Sequence, residues 1–291
     1  MLFLQTLVNG LALGGLYALA AVGFSLVFGV LGIVNLTHGI FLVAGSYGAL
    51  LLWEHLGIDP ILSIPPVAIV LFGVGYVYQR TIIHWAVSRA SLVASLVVTF
   101  GVAMIIRNLL QLWFGPDIRT ITPSYSFSSV TFFDLRIDLV RLIALGMSLV
   151  VLLLLTALLR HTHFGRSIRA TAQQPLAASL CGLDVERLYA KTFGLGAALA
   201  GASGAIIGIV QPFSPATEAG WTLNAFIVVV LGGIGSPAGA LLGGVLLGLI
   251  NTLTAQYIAP SMTNAAMFLV LVAMLLFRPH GLLGNAMGES R

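Results

Sequence analysis

Apolar runs of about 20 residues, the length a helix needs to cross a bilayer, follow one another along this chain with short polar breaks between them. The pattern predicts spans at about 7–30, 36–53, 61–79, 92–113, 139–159, 189–211, 222–235, 238–257 and 261–277. The seventh run is short. The expected fold is therefore all-α: a polytopic transmembrane helical bundle of eight or nine spans with broken or re-entrant segments. Alternating the loops across the bilayer separates the basic residues. Arg80, Arg89, Arg160, Arg166, Arg169, Arg187, Lys191, Arg278 and Arg291 fall on one face, and only Arg119, Arg136 and Arg141 on the other. The richer face is expected to be cytoplasmic, which puts the C-terminus inside. Glu54, Asp59, Asp117, Asp134, Asp138 and Glu218 are assigned to the outer face. Nine spans would put the N-terminus outside; eight follow if 30–38 is a break within a re-entrant pair. Residues 1–10 hold no Lys or Arg, so the first apolar run is expected to remain as a span rather than leave as a secretory leader.

Composition agrees with the pattern. Of 291 residues 59% are hydrophobic and 8% charged, and the mean hydropathy is +1.06. Soluble domains carry about 25% charged residues, so this chain cannot cover a water-facing surface and reads as an integral membrane protein. With so few charges, the net +4 says little about nucleic acid. A lone cysteine, Cys181, excludes an intramolecular disulfide framework and a cysteine-built metal site. Two extramembrane segments stand out. Residues 115–138 alternate aromatic, β-branched and small polar residues around Pro123, which predicts a short external hairpin or structured loop. Residues 160–188 predict short helices interrupted at Pro175, with Gly182 ending the second. Neither is a soluble domain, so residues 1–291 are expected to form a single membrane domain.

The 33 glycines lie mostly inside apolar runs. The pairs Gly10/Gly14, Gly204/Gly208, Gly239/Gly243 and Gly244/Gly248 have the spacing that lets helix backbones approach closely in lipid. Two stretches differ in kind: 29–39 (GVLGIVNLTHG) and 231–239 (LGGIGSPAG) set Gly, Pro, Asn and Ser between apolar runs. Such interruptions either line a path through a transporter or form short turns at the interface.

Several chemistries are excluded or disfavoured. The Lys191-Thr192 pair lacks the glycines of a phosphate-binding loop. All nine acids fall in loops or at span ends, which disfavours ion-coupled transport. No nucleophile–base or paired-carboxylate spacing is visible, and His161 and His163 do not share a helix face. No catalytic residue, metal or cofactor is therefore expected. Arg107 is expected to snorkel to the outer headgroups beside Trp113. His38 is expected either to touch solute or to bond a neighbouring backbone group.

Three ordered motifs, Gly32-Ile33-Val34-Asn35-Leu36-Thr37-His38-Gly39, Gly165-Arg166-Ser167-Ile168-Arg169-Ala170-Thr171-Ala172-Gln173-Gln174-Pro175 and Gly232-Gly233-Ile234-Gly235-Ser236-Pro237-Ala238-Gly239, resemble the branched-chain amino acid ABC transporter permease family. The chain is similar to the shorter of the two permeases, and the resemblance covers nearly its whole length. It implies a bacterial inner-membrane importer subunit. The implied partners are a second homologous permease, two cytoplasmic ATP-binding subunits and an extracytoplasmic amino-acid-binding protein. Members of the family also serve urea, short amides or other amino acids, and the alternative to an importer subunit is a stand-alone channel for a small polar solute. The family's Glu-Ala-Ala-x-x-x-Gly coupling helix corresponds to Leu176-Ala177-Ala178-Ser179-Leu180-Cys181-Gly182, with Leu176 in place of the acid. The resemblance thus implies ATPase coupling through Arg166, Arg169, Gln173, Pro175, Ala177, Ala178 and Gly182. A short Ala-rich helix also suits a groove on a soluble partner, or the headgroup surface.

A zwitterion crossing the bilayer needs hydrogen-bond donors for its carboxylate, such as the free N–H groups of a broken helix. Asn35, Thr37 and His38 in the first break, and Asn224, Gly232, Gly233 and Gly235 at the second, are the expected path residues. None of them carries a full charge, so the expected site is weak and transient.

Overall fold

The computed structural model describes residues 2–89, 92–132, 135–278 and 280–283. Asp134 and Arg291, assigned above to opposite faces, lie outside the described residues.

From Leu2 to Leu31 the chain has neither a proline nor a charged residue, and it forms one helix, α1 (Leu2–Leu31), which is the most enclosed element with α9 (Val185–Val210). α11 (Pro237–Tyr257) runs antiparallel along α1. At that crossing a Cβ on Gly14 would lie 2.6 Å from Val245 Cα, and one on Gly244 2.5 Å from Ala18 N, so only glycine permits the approach. The expected packing role of Gly10, Gly14, Gly244 and Gly248 is met here. α9 also runs antiparallel to α1, with the Ser203 hydroxyl donating to Leu19 O at 2.8 Å. α6 (Leu139–His161) runs parallel to α1, its Leu155 and Leu159 clustering with Val22, Leu26 and Val30.

α2 (His38–Leu56), α3 (Ile64–Tyr78) and α5 (Leu92–Phe114) complete the first half. α3 continues through a π-helical turn, Gln79–Ile83, into α4 (His84–Arg89). The predicted hairpin is present as β1 (Ser129–Phe132) paired antiparallel with β2 (Leu135–Asp138). α7 (His163–Gln173) and α8 (Pro175–Leu180) connect α6 to α9, and Gly182, at φ 84°, follows the end of α8 as expected. α10 (Glu218–Gly232) and α12 (Thr263–Phe277) flank α11. Among the described residues, eight helices are long and apolar enough to cross a membrane. α10 is the ninth apolar helix, and its 15 residues cover only about 22 Å.

The antiparallel pairings fix relative ends. Leu282 N–H donates to Leu231 O and Leu283 N–H to Gly232 O, so the last described residues sit at the α10–α11 turn. The start of α1 lies at the opposite end of the bundle, beside the end of α11. The α1–α9 and α1–α6 pairings bring Arg80, Arg160, Arg166, Arg169, Arg187, Lys191 and Arg278 to the end that holds the α10–α11 turn. Arg119, Glu54, Asp59 and Asp117 gather at the other end, where Arg119 Nη1 is 3.9 Å from Glu54 Oε1 and the Tyr125 hydroxyl donates to Asp59 Oδ1 at 3.0 Å.

Candidate functional site

The two interrupted stretches have different geometries. In the first, α1 ends at Leu31, Gly32 takes φ 67°, and residues 33–37 run back along α1 before α2 begins at His38. His38 Nε2 donates to Ala20 O at 2.7 Å, and its ring meets Phe24 edge-on at 5.3 Å. Ala20 precedes the end of α1 by 11 residues, about 16 Å of helix. α2 therefore starts inside the bundle rather than at its rim. The local chemistry explains the turn: Thr37 N–H donates to Asn35 Oδ1 at 3.1 Å, and the Thr37 hydroxyl donates to the same oxygen. An asparagine side chain mimicking a backbone turn starts a helix where no loop surface is available. Asn35, Thr37 and His38 are all fully buried.

Backbone groups at such a break must find partners, and residues that the sequence did not single out supply them. Leu36 N–H donates to the Thr99 hydroxyl at 3.2 Å, and Gly39 N–H to the Thr222 hydroxyl at 2.9 Å. Thr222 stands in the first turns of α10, so the N-termini of α2 and α10 meet. Gly39 makes this possible, because a Cβ there would collide with Glu218 O and the Thr222 side chain. Trp221 packs on Tyr17, at 6.1 Å between ring centroids, which sets the start of α10 beside the middle of α1.

The second stretch is a hairpin turn between α10 and α11. Gly233 (φ 104°) and Gly235 (φ 75°) make the turn, and the Ser236 hydroxyl caps α11 by accepting from Gly239 N–H at 3.0 Å. Gly232 packs directly on Gly239, and Gly281 against Gly233. The structure therefore brings Asn35, Thr37 and His38 together with Thr222, and sets Gly232, Gly233 and Gly235 apart at the basic end of the bundle. Asn224 lies between them on α10, half-buried on the side where Ala219 and Gly220 are exposed.

Two expectations about charge are corrected. Arg107 does not snorkel outward: α5 continues past it to Phe114, and its Nη1 lies 3.5 Å from Glu218 Oε1. Glu218, expected in a loop or at a span end on the outer face, does begin α10, but its side chain is enclosed, 8% exposed. A full charge pair thus borders the junction of α2 and α10, where only neutral groups were expected. Its sequence signal was the polar cluster Arg107, Asn108 and Gln111 inside an otherwise apolar run.

In the connection between α6 and α9, the Thr162 hydroxyl caps α7 by accepting from Gly165 N–H at 3.0 Å, and the Arg169 guanidinium donates to Leu159 O. Arg166, Gln173, Pro175 and Ala177 are exposed, whereas Ala178 is buried. The outward side of α8 carries Leu176 and Leu180, which are 70% and 81% exposed. No group of three or more His, Cys, Asp or Glu among the described residues is placed to hold a metal.

The family model described as branched-chain amino acid transport system / permease component matches residues 6–277. The chain belongs to this family. It is 29% identical over 97% of its length to the high-affinity branched-chain amino acid transport system permease protein LivH of Salmonella typhimurium, of which 96% is covered. It is 30% identical, with the same coverage, to the corresponding protein BraD of Pseudomonas aeruginosa. The longer permease protein LivM of Escherichia coli is 26% identical over 92% of this chain and 68% of its own length. No solved structure matches. The re-entrant start of α2 falls on the motif around Asn35 that carries the family resemblance.

Proposed function

We propose that this chain forms, with a second homologous permease, the path by which an ATP-driven importer of the inner membrane moves branched-chain amino acids inward. Two ATP-binding subunits on the basic face would supply the energy, and an extracytoplasmic binding protein the solute. The observation that carries this reading is the meeting of two helix N-termini, those of α2 and α10, within the bundle. Helix N-termini carry partial positive charge and suit a solute carboxylate; Asn35, Thr37 and His38 stand around that junction, and Asn224 would follow it along α10. The turn of Gly232, Gly233 and Gly235 would lie where solute leaves. The exposed Leu176, Ala177 and Leu180 of α8, with Arg166, Arg169, Gln173, Pro175, Ala178 and Gly182 shaping the connection, would dock on an ATP-binding subunit. Exposed apolar side chains on a short helix favour a protein groove. The acid missing at position 176 makes that contact apolar. The positive-inside rule supports a cytoplasmic position for this face and for the C-terminus.

Reconstitution of the chain with its partner subunits in liposomes tests the proposal. Leucine uptake should require ATP and the binding protein. Solute movement at full rate by this chain alone, without nucleotide, would make it a channel and overturn the reading. Competition of labelled leucine by urea, short amides or other amino acids decides among substrates within the family.

A further inference from the structure

We infer that a two-lobed cavity at the basic end of the bundle binds a small zwitterion with an aliphatic side chain. The inference rests on the proposed function for its ligand class, and adds a site remote from the α2–α10 junction. One lobe is apolar, about 210 Å³, and is walled by Leu31, Ile33, Ile83 and Tyr189. The other is polar, about 310 Å³, and is bordered by Arg80, Asp184 and Arg187. Gln79, His84 and Glu186 line both lobes and join them.

The wall between the lobes is the π-helical turn Gln79–Ile83. Such turns cost helix geometry and recur at functional sites. Here the turn directs Gln79 and Ile83 inward, 3% and 1% exposed, while Arg80 stays at the surface. The Gln79 side chain borders both lobes, so its amide is placed to meet a polar ligand.

The charges suit a zwitterion. Asp184 and Arg187 neutralise each other at 2.8 Å. Among the described residues Arg80 donates only to the Tyr76 hydroxyl, at 3.1 Å, and has no carboxylate partner. Glu186 Oε1 is 3.9 Å from His84 Nε2, too far for a hydrogen bond. A solute carboxylate at Arg80 and an ammonium at Glu186 would engage both groups without adding net charge, and the aliphatic side chain would enter the lobe of Ile33 and Ile83. Ile33 belongs to the returning segment that leads to Asn35 and Thr37, so the cavity adjoins the first break. It is placed to hold solute on the side where import ends.

Cysteine protection tests this in the complex assembled with its partner subunits, with Cys181→Ser and His84→Cys in this chain. For a millimolar site, about 10 mM leucine should slow maleimide labelling at position 84 about tenfold. Glycine and leucinamide, lacking the aliphatic group and the carboxylate respectively, should protect less. Arg80→Gln and Glu186→Gln should abolish protection, while Arg80→Lys should keep it, separating lost charge from misfolding. Unchanged labelling with leucine, or protection that survives Arg80→Gln, would overturn the inference. Leucine import is measured in parallel. Import without protection sinks this site alone, whereas protection without import supports the site and sinks the proposed function.

Discussion

Arg107 Nη1 stands 3.5 Å from Glu218 Oε1 and ties the later half of α5 to the first turn of α10. Glu218 is enclosed, while Arg107 keeps 31% of its side chain exposed. Removing one partner of a buried pair leaves an uncompensated charge and costs about 3–5 kcal/mol, and partial exposure moves this pair towards the lower end. Arg107→Leu should therefore lower the thermal unfolding midpoint of the purified protein. Adding Glu218→Gln should recover most of the loss, since no charge then remains unpaired. A double variant as unstable as Arg107→Leu would show that the pair is not what holds the two helices.

The contact of Gly39 with Glu218 and Thr222 leaves no room for a side chain. Overpacking of this kind costs about 1–3 kcal/mol where the neighbour can move and more where it is backbone. Gly39→Val should impair both stability and uptake. Gly73→Ala and Gly101→Ala, where an added Cβ meets nothing within 4 Å, should be close to silent. Thermal midpoints of the three variants, compared in one detergent, settle the matter.

The opposite environments of Ala177 and Ala178 separate docking from folding. Ala177→Trp, or Leu180→Glu, should leave the unfolding midpoint of the chain alone near that of the parent while weakening co-purification of the ATP-binding subunits. Ala178→Trp should lower the midpoint itself, because Ala178 is 5% exposed. Equal binding of ATP-binding subunits by the parent, Ala177→Trp and Leu180→Glu would remove α8 from the interface.

Cys181 is exposed and is the sole cysteine, so it reports the side of the α6–α9 connection without substitution. Impermeant maleimide should reach it only from the cytoplasmic face of sealed vesicles. In a Cys181→Ser background, Ser128→Cys, exposed beside the hairpin, should react only from the other face. Reaction of both from one side would contradict a crossing of the membrane by α6, which lies between them.

The sequence by itself determined the inventory of helices. Runs read at 92–113, 139–159 and 238–257 became Leu92–Phe114, Leu139–His161 and Pro237–Tyr257, because apolar composition and breaker residues are local properties. Paired glycines likewise announced close crossings, since spacing along one helix is enough to make a smooth face. What lay beyond reach were the meetings of residues far apart in the chain. Gly39 and Thr222 are 183 residues apart, and their hydrogen bond makes the break after Leu31 a re-entrant start rather than a surface turn. The inward direction of Arg107, the burial of Glu218 and the inner face of Ala178 have the same origin. Each side chain had two environments that its own neighbours tolerated, and only helix packing across the bundle, with its requirement that buried charges and backbone groups be partnered, chose between them.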